Sequence, residues 1–149
     1  MHIVLVEPEI PQNTGSIARL AAATGSPLHL VGRLGFSLED RYLKRAGLDY
    51  WPLVDLHTHD SFAAFLKEVE PARIFAFSTH ATTSYTKASF AAGDAIVFGS
   101  ESKGLPADLK TALAPLWNIP MSGTGVRSLN LANAVSIVLY EGLRQLGSV

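Results

Sequence analysis

Short runs rich in β-branched and apolar residues alternate with helix-patterned stretches from one end of the chain to the other. No other feature constrains the fold as much. Repeated alternation of this kind builds a parallel sheet covered by helices, because parallel neighbours need a crossover between them. His2–Val6 and Leu28–Gly32 read as strands, with a helix from about Thr14 to Thr24 between them that Gly25 stops. Ser37 and Asp40 are candidate caps for a short basic helix through Ala46. Leu53–His57 reads as a short strand and Asp60 as the start of a helix to about Val69. Arg73–Ser78, Ala95–Gly99 and Leu116–Ile119 complete the strands. Pro106 opens a helix to about Leu113, and a long helix runs from about Leu129 to Leu146. No repeat, low-complexity tract or linker divides the 149 residues, so residues 1–149 are expected to form a single α/β domain with a parallel sheet flanked by helices.

The function classes open to such a domain are narrowed by what it lacks. Charged residues are 17% of the chain, below the ~25% usual for soluble domains, while apolar residues reach 48%. A core can form with apolar surface left over for a subunit interface. With no cysteine there is no disulfide framework, iron–sulfur cluster or thiolate zinc site, which suits a cytoplasmic location. The apolar stretch Ile3–Val6 runs at once into Glu7, too short for a secretory signal, and no run approaches the ~18 residues of a membrane span. Twelve basic residues against 13 acidic ones leave a net charge of -1, so a polyanion would have to be held by a few arginines and lysines gathered locally.

Several motifs fail on inspection. Gly99 and Gly104 stand at P-loop spacing, but Leu105-Pro106 follows where Lys and Ser/Thr would be needed, and no GxGxxG follows the first strand. Ser100-x-x-Lys103 and Ser84-x-x-Lys87 both match a pattern of penicillin-recognising enzymes, which shows how little it specifies. His57, His59 and Asp60 carry metal-ligand chemistry, yet a strand end running into a helix capped by Asp60 accounts for them, and no metal is expected.

Ligands of open α/β sheets bind at the carboxyl ends of strands, which directs attention to three loops: Glu7–Gly15, Gly99–Pro106 and Pro120–Ser128. Taken alone, Asn13 reads as a cap and Arg19 as a solvent-facing charge, and Glu101 reads equally as a surface carboxylate or as a functional one between two glycines. The third loop is the most informative. Ser128 is a natural N-cap, and Asn130 and Asn133 stand in the opening turns of an otherwise apolar helix, where asparagine is only a modest helix former. Arg33, Arg41, Lys44, Arg45, Lys103 and Arg127 are the candidate phosphate contacts, with Tyr42 available to stack on a base. The Arg41–Arg45 cluster reads equally well as a solvated helix face.

Four ordered segments carry a resemblance that extends over almost the whole chain. Pro8-Glu-Ile-Pro-x-Asn13-Thr-Gly-x-Ile-x-Arg19, Lys44-Arg-Ala-Gly-Leu-Asp-Tyr50, Phe98-Gly99-x-Glu101-x-x-Gly104-Leu-Pro and Ile119-Pro-Met with Arg127-Ser128-Leu-Asn130-Leu-x-Asn133-Ala-Val resemble the SPOUT superfamily of knotted RNA methyltransferases. Within it the chain is similar to the minimal tRNA 2'-O-methyltransferases, which lack an added RNA-binding domain. Its Gly-rich Ser122–Val126 loop departs from the family pattern by about one extra residue.

This resemblance implies a trefoil knot near the C-terminus, a bent S-adenosylmethionine cofactor within it, and a homodimer joined through the first and last helices. It implies methyl transfer to the ribose 2'-OH of the wobble nucleotide, C or modified U, with leucine tRNAs as the expected substrates. Carried over by position, Phe77, Gly99, Gly104, Ile119, Met121 and Ser128 would form the cofactor pocket. Arg19 would activate the hydroxyl, supported by Asn13, Glu101, Ser128 and Asn130. Arg19, Arg41, Arg45 and Arg127 would contact tRNA. The rival readings are a nonenzymatic RNA-binding relative, 2'-O-methylation at another RNA site, and a flavodoxin-like nucleotide-binding domain.

Overall fold

A computed structural model describes all 149 residues. The elements in chain order are β1 (His2–Val6), α1 (Pro11–Thr24), β2 (Leu28–Val31), α2 (Arg41–Gly47), a 3-10 turn (Leu48–Leu53), β3 (Leu56–His59), α3 (Phe62–Val69) and β4 (Ile74–Ala76). Then come β5 (Thr83–Ser84), a second 3-10 turn (Tyr85–Lys87), β6 (Ala95–Phe98), α4 (Ala107–Ala112), β7 (Trp117–Asn118) and α5 (Leu131–Gln145). Five strands form one all-parallel sheet in the order β3-β2-β1-β6-β4. Strands β1, β2 and β6 are nearly continuous apolar runs because both faces of the sheet are covered.

Alternate residues supply the two faces. Ile3, Leu5, Leu28, Leu30, Ile96 and Phe98 pack under α1 and α5, against Ile17, Ala21, Val135, Val138 and Leu139. Val4, Val6, Val31 and Val97 face the other way, onto Phe62 and Phe65 of α3. Two features make the topology unusual. The chain leaves β3 and crosses to β4 before β6 fills the gap between β4 and β1, so the winding reverses beside β1. Strand β7 then pairs with β5, and a bridge from Trp117 to Phe77 sets it beside the end of β4; from there the chain returns across the sheet so that α5 packs on α1.

Several expectations need correction. The third strand lies at Leu56–His59 rather than Leu53–His57, because Leu48–Leu53 coils into a 3-10 turn and the strand pairs Leu56 with Leu28 and His57 with His29. Ser61, not Asp60, caps α3, accepting from the Ala64 N–H at 3.1 Å. Asn130, not Ser128, caps α5. Helix α1 begins at Pro11, three residues ahead of the expected Thr14, with proline where its missing N–H costs nothing. Pro106 is the N-cap of α4 rather than a residue of its first turn. Asp40 caps α2 as expected, accepting from the N–H groups of Tyr42 and Leu43.

The histidines weighed as metal ligands have another arrangement. His2 Nδ1 lies 3.0 Å from His29 Nε2, His29 Nδ1 lies 3.0 Å from His59 Nε2, and His59 Nδ1 lies 2.8 Å from a Glu68 carboxylate oxygen. A carboxylate can only accept, so His59 donates from Nδ1 and accepts from His29, which in turn accepts from His2. With this donor order both nitrogens of His29 are engaged, and a proton added at its Nε2 requires His2 to give up its Nδ1–H. His57 stacks on His29 and pairs with Asp55, and no group of three or more His, Cys, Asp or Glu residues is placed to hold a metal ion.

Burial first, and then the neighbouring His2, His57 and His59, hold the His29 pKa down at about 3 against an ordinary 6.5; burial and the positive chain terminus lower His2 as well. The unfolded chain therefore binds more protons than the folded one below about pH 6.5. This contribution to stability is complete above that pH and is lost as pH falls towards 3. Thermal melts between pH 7.5 and 5 are expected to show stability falling with acid, His29 contributing at most about 1.4 kcal/mol per pH unit. In His29→Leu the slope should flatten; an unchanged slope would contradict the assignment.

Candidate active site

The N-terminus of α1 sits just beyond the end of β1, and its N-cap residue Ile10 has no side chain able to satisfy the free N–H groups of the first turn. The loop after β6 supplies an acceptor for the two backbone N–H groups just ahead of that turn. The Glu101 carboxylate accepts from the Glu9 N–H at 2.8 Å, the Ile10 N–H at 3.1 Å and the Asn13 side-chain amide at 3.2 Å. A carboxylate is well placed here, since the helix N-terminus carries partial positive charge. Glu9 reciprocates by accepting from the Ser102 hydroxyl at 2.6 Å, and the Ser102 and Ser100 hydroxyls hold its carboxyl below the usual carboxylate range.

Asn13 extends the network. Buried in the first turn of α1, it accepts from the Asn130 amide at 2.9 Å, and Asn130 in turn accepts from the Asn133 N–H to cap α5. Side chains separated by 88 and 117 positions thereby fasten the loops after β1 and β6 to the start of α5. Asn130 is thus a cap, whereas Asn133 contributes its backbone N–H and exposes its side chain.

Gly99 and Gly104 shape the intervening loop in different ways. Ser100 and Gly104 exchange two backbone hydrogen bonds, at 3.2 and 2.9 Å, and Gly104 turns at φ +68°, a conformation that favours glycine. A Cβ on Gly99 would overlap the backbone of Gly104 and Leu105, whereas one on Gly104 would meet open space. Gly99 thus serves the loop's own closure, while Gly104 leaves its outer side free. Gly99→Ala is expected to displace Glu101, lower the thermal midpoint and reduce activity at least tenfold; near-normal melting and turnover would count against this reading.

The cofactor residues expected from the sequence lie at the ends of adjacent strands. Phe77 follows β4 and stacks on Phe98 with centroids 4.9 Å apart; Gly99 follows β6; Ile119 follows β7 and packs on the core. From Pro120 to Asn130 every residue is exposed, Met121, Arg127 and Ser128 among them, and the backbone from Ile119 to Leu129 enters none of the loop hydrogen bonds. In addition, the Asn118 side-chain oxygen is buried with no partner. The strand ends therefore present unpaired donors and acceptors beside the Phe77 loop.

Arg19 is not part of this network. Six residues beyond Asn13 on α1, it lies roughly 240° round the helix from it, and its guanidinium is over the Tyr50 ring, 5.5 Å from the centroid. Arg41 and Arg45 are exposed on α2 at helical spacing; Arg41 stacks on Tyr42 at 4.8 Å and donates to its hydroxyl. Lys44, one of the candidate phosphate contacts, is instead paired with Glu39 at 2.7 Å. Glu9, Ser102, Asn118 and Tyr50 had no expected role; Glu9, Ser102 and Tyr50 stand inside the singled-out segments, where only their types were visible.

A parallel α/β domain with its polar network and open backbone at the strand ends fits a cofactor-dependent transferase. Residues 1–140 match the model of the SpoU rRNA Methylase family, and the chain belongs to that family. It is 49% identical over 148 residues to the tRNA (cytidine(34)-2'-O)-methyltransferase of Acidovorax sp., covering 97% of this chain and 91% of the relative. A structure solved for insight into the 2-OH methylation of C/U34 on tRNA superposes with a TM-score of 0.91 at 54% identity, covering 99% of this chain and 97% of that one. The SpoU methyltransferase AviRb from Streptomyces viridochromogenes, solved with the cofactor AdoMet, gives 0.88 at 25% identity over 100% of this chain and 61% of its own.

Proposed function

We propose that this protein transfers a methyl group from S-adenosylmethionine to the ribose 2'-OH of the tRNA wobble nucleotide, cytidine 34 or a modified uridine, with leucine tRNAs as the substrates. The observation that carries this is near-50% identity along the whole chain to tRNA (cytidine(34)-2'-O)-methyltransferases, joined to the close superposition on a structure concerned with that reaction. It acts in the cytoplasm, with residues 1–149 folding as a single domain. No helix is long and apolar enough to cross a membrane.

The strand ends suit the cofactor. Unpaired backbone groups between Ile119 and Leu129 and the open side of Gly104 are what a ligand recognised through main-chain contacts needs, and the partnerless Asn118 side-chain oxygen adds an acceptor. Phe77, Gly99, Gly104, Ile119, Met121 and Ser128 would hold it. When bound, S-adenosylmethionine supplies a methyl group made electrophilic by its sulfonium. A trefoil knot is the proposed topology of this corner, supported by the return of the chain from β7, beyond β4, to place α5 on α1.

The chain's own task is to align the ribose hydroxyl and help it lose a proton. Arg19 is a poor proton acceptor, so it grips the adjoining phosphate and stabilises the developing alkoxide. Glu101, with three donors on its carboxylate, holds the loops in place rather than acting as the base, and the proton passes to water or a phosphate oxygen. Arg19 and the Asn13 network lie on different sides of α1, which supports a homodimer in which Arg19 serves the partner's cofactor pocket. Exposed Ile137 and Tyr140 on α5 supply apolar surface for that contact.

Incubation with tritiated S-adenosylmethionine and total tRNA should label tRNA, whereas absence of label with a cofactor-binding protein would favour a nonenzymatic relative. The logarithm of the tRNA affinity should fall steeply with the logarithm of salt as Arg19, Arg41, Arg45 and Arg127 displace counterions; a slope near zero would exclude substantial phosphate contact.

A further inference from the structure

We propose that Tyr50 is a positioning residue for Arg19: its ring fixes the guanidinium plane so that the N–H fork is presented to the RNA phosphate. The inference rests on the methyl-transfer reading. It answers a question the active-site network leaves open, namely what orients an exposed arginine that takes part in none of the chain's ion pairs. A free arginine side chain samples many rotamers, and ordering it on binding RNA would weaken the grip. The Tyr50 ring, 5.5 Å from the guanidinium carbon, lies within cation–π range and is partly exposed on its turn.

What makes this more than a chance surface contact is how firmly the turn carrying Tyr50 is held. Gly15 of α1 leaves no room for a Cβ against the Leu43 carbonyl and Ala46, so α2 lies directly on the helix that bears Arg19. Gly47 is covered by the Trp51 indole, whose N–H donates to the Lys44 carbonyl at 3.0 Å, and the Val54 N–H closes the turn on Trp51. Leu48 takes a φ of +53°, a conformation that costs a side-chain-bearing residue free energy and persists because its surroundings enforce it. The Lys44 carbonyl, Ala46, Gly47 and Leu48 thus help to hold the turn that brings one aromatic ring up beside Arg19.

Steady-state kinetics of Tyr50→Leu and Tyr50→Phe with tRNA tests the role. Removing the ring is expected to lower kcat about three- to fivefold with KM for S-adenosylmethionine unchanged, and Tyr50→Phe is expected to restore wild-type kcat, since the hydroxyl has no part. Unchanged kcat in Tyr50→Leu, or an equal loss in Tyr50→Phe, would overturn it. NMR of the Arg19 Nε–H gives a readout independent of turnover and of whether Tyr50→Leu folds. A ring-current shift is expected in the wild type and in Tyr50→Phe, and its absence from both would refute the pairing. If the wild type transfers no methyl group while the shift is present, the functional reading fails and the pairing stands.

Discussion

Arg19→Ala is expected to lower methyl transfer at saturating tRNA by at least a hundredfold while leaving the thermal midpoint almost unchanged. The guanidinium is exposed and takes part in no ion pair, so its loss falls in the class of surface substitutions that alter stability by about 0.5 kcal/mol or less. Its role in turnover is electrostatic, and removing one donor aimed at developing negative charge costs about a hundredfold to a thousandfold. Lysine keeps the charge but not the planar fork, so Arg19→Lys should retain only a minor fraction of turnover. Nearly full activity in Arg19→Lys would show that the bidentate grip is not what Arg19 contributes.

Glu101→Ala should have the opposite signature, with stability and activity falling together. The substitution strips the acceptor from two backbone N–H groups and from the buried Asn13 amide, and through Asn13 it loosens Asn130 and the start of α5. Hydrogen bonds to a charged group contribute about 1.5–3 kcal/mol each and act here as a set, so a loss of about 2–4 kcal/mol is expected, a fall of roughly 10 °C in a domain of this length. Glu101→Gln keeps the shape but turns an N–H towards donors, and should fall between wild type and alanine. Calorimetric melts of the three proteins decide the matter: if all unfold at the same temperature, the carboxylate is not the fastening described above.

Most of the sheet was legible because β1, β2, β4 and β6 are short, mainly apolar runs whose flanking residues stop and start helices, whereas β3, Leu-His-Thr-His, carries no such signal. Strands β5 and β7, two residues each, have no period to detect, and their pairing, Thr83 with Trp117 and Ser84 with Asn118, joins segments far apart in the chain. Caps show the same limit. Ser128 and Asn130 are both able to cap α5, and a contact with Asn13, 117 positions away, decides between them. Glu101, Asn13 and Asn130 stood out by residue type and place. That Glu101 faces the uncapped end of α1 is a long-range fact that no local pattern carries. The order of the strands and the return of α5 onto α1 are likewise invisible to periodicity, which reports what each segment is and not the path between segments.

In the proposed reaction the sugar hydroxyl of one tRNA nucleotide receives the methyl group. Two leucine tRNAs identical except at the wobble ribose, one with a 2'-hydroxyl and one with a 2'-hydrogen, should be compared as acceptors of the labelled methyl. Label on the first and none on the second is the expected result. Equal label on both would place the reaction on a base or at another nucleotide and contradict the account.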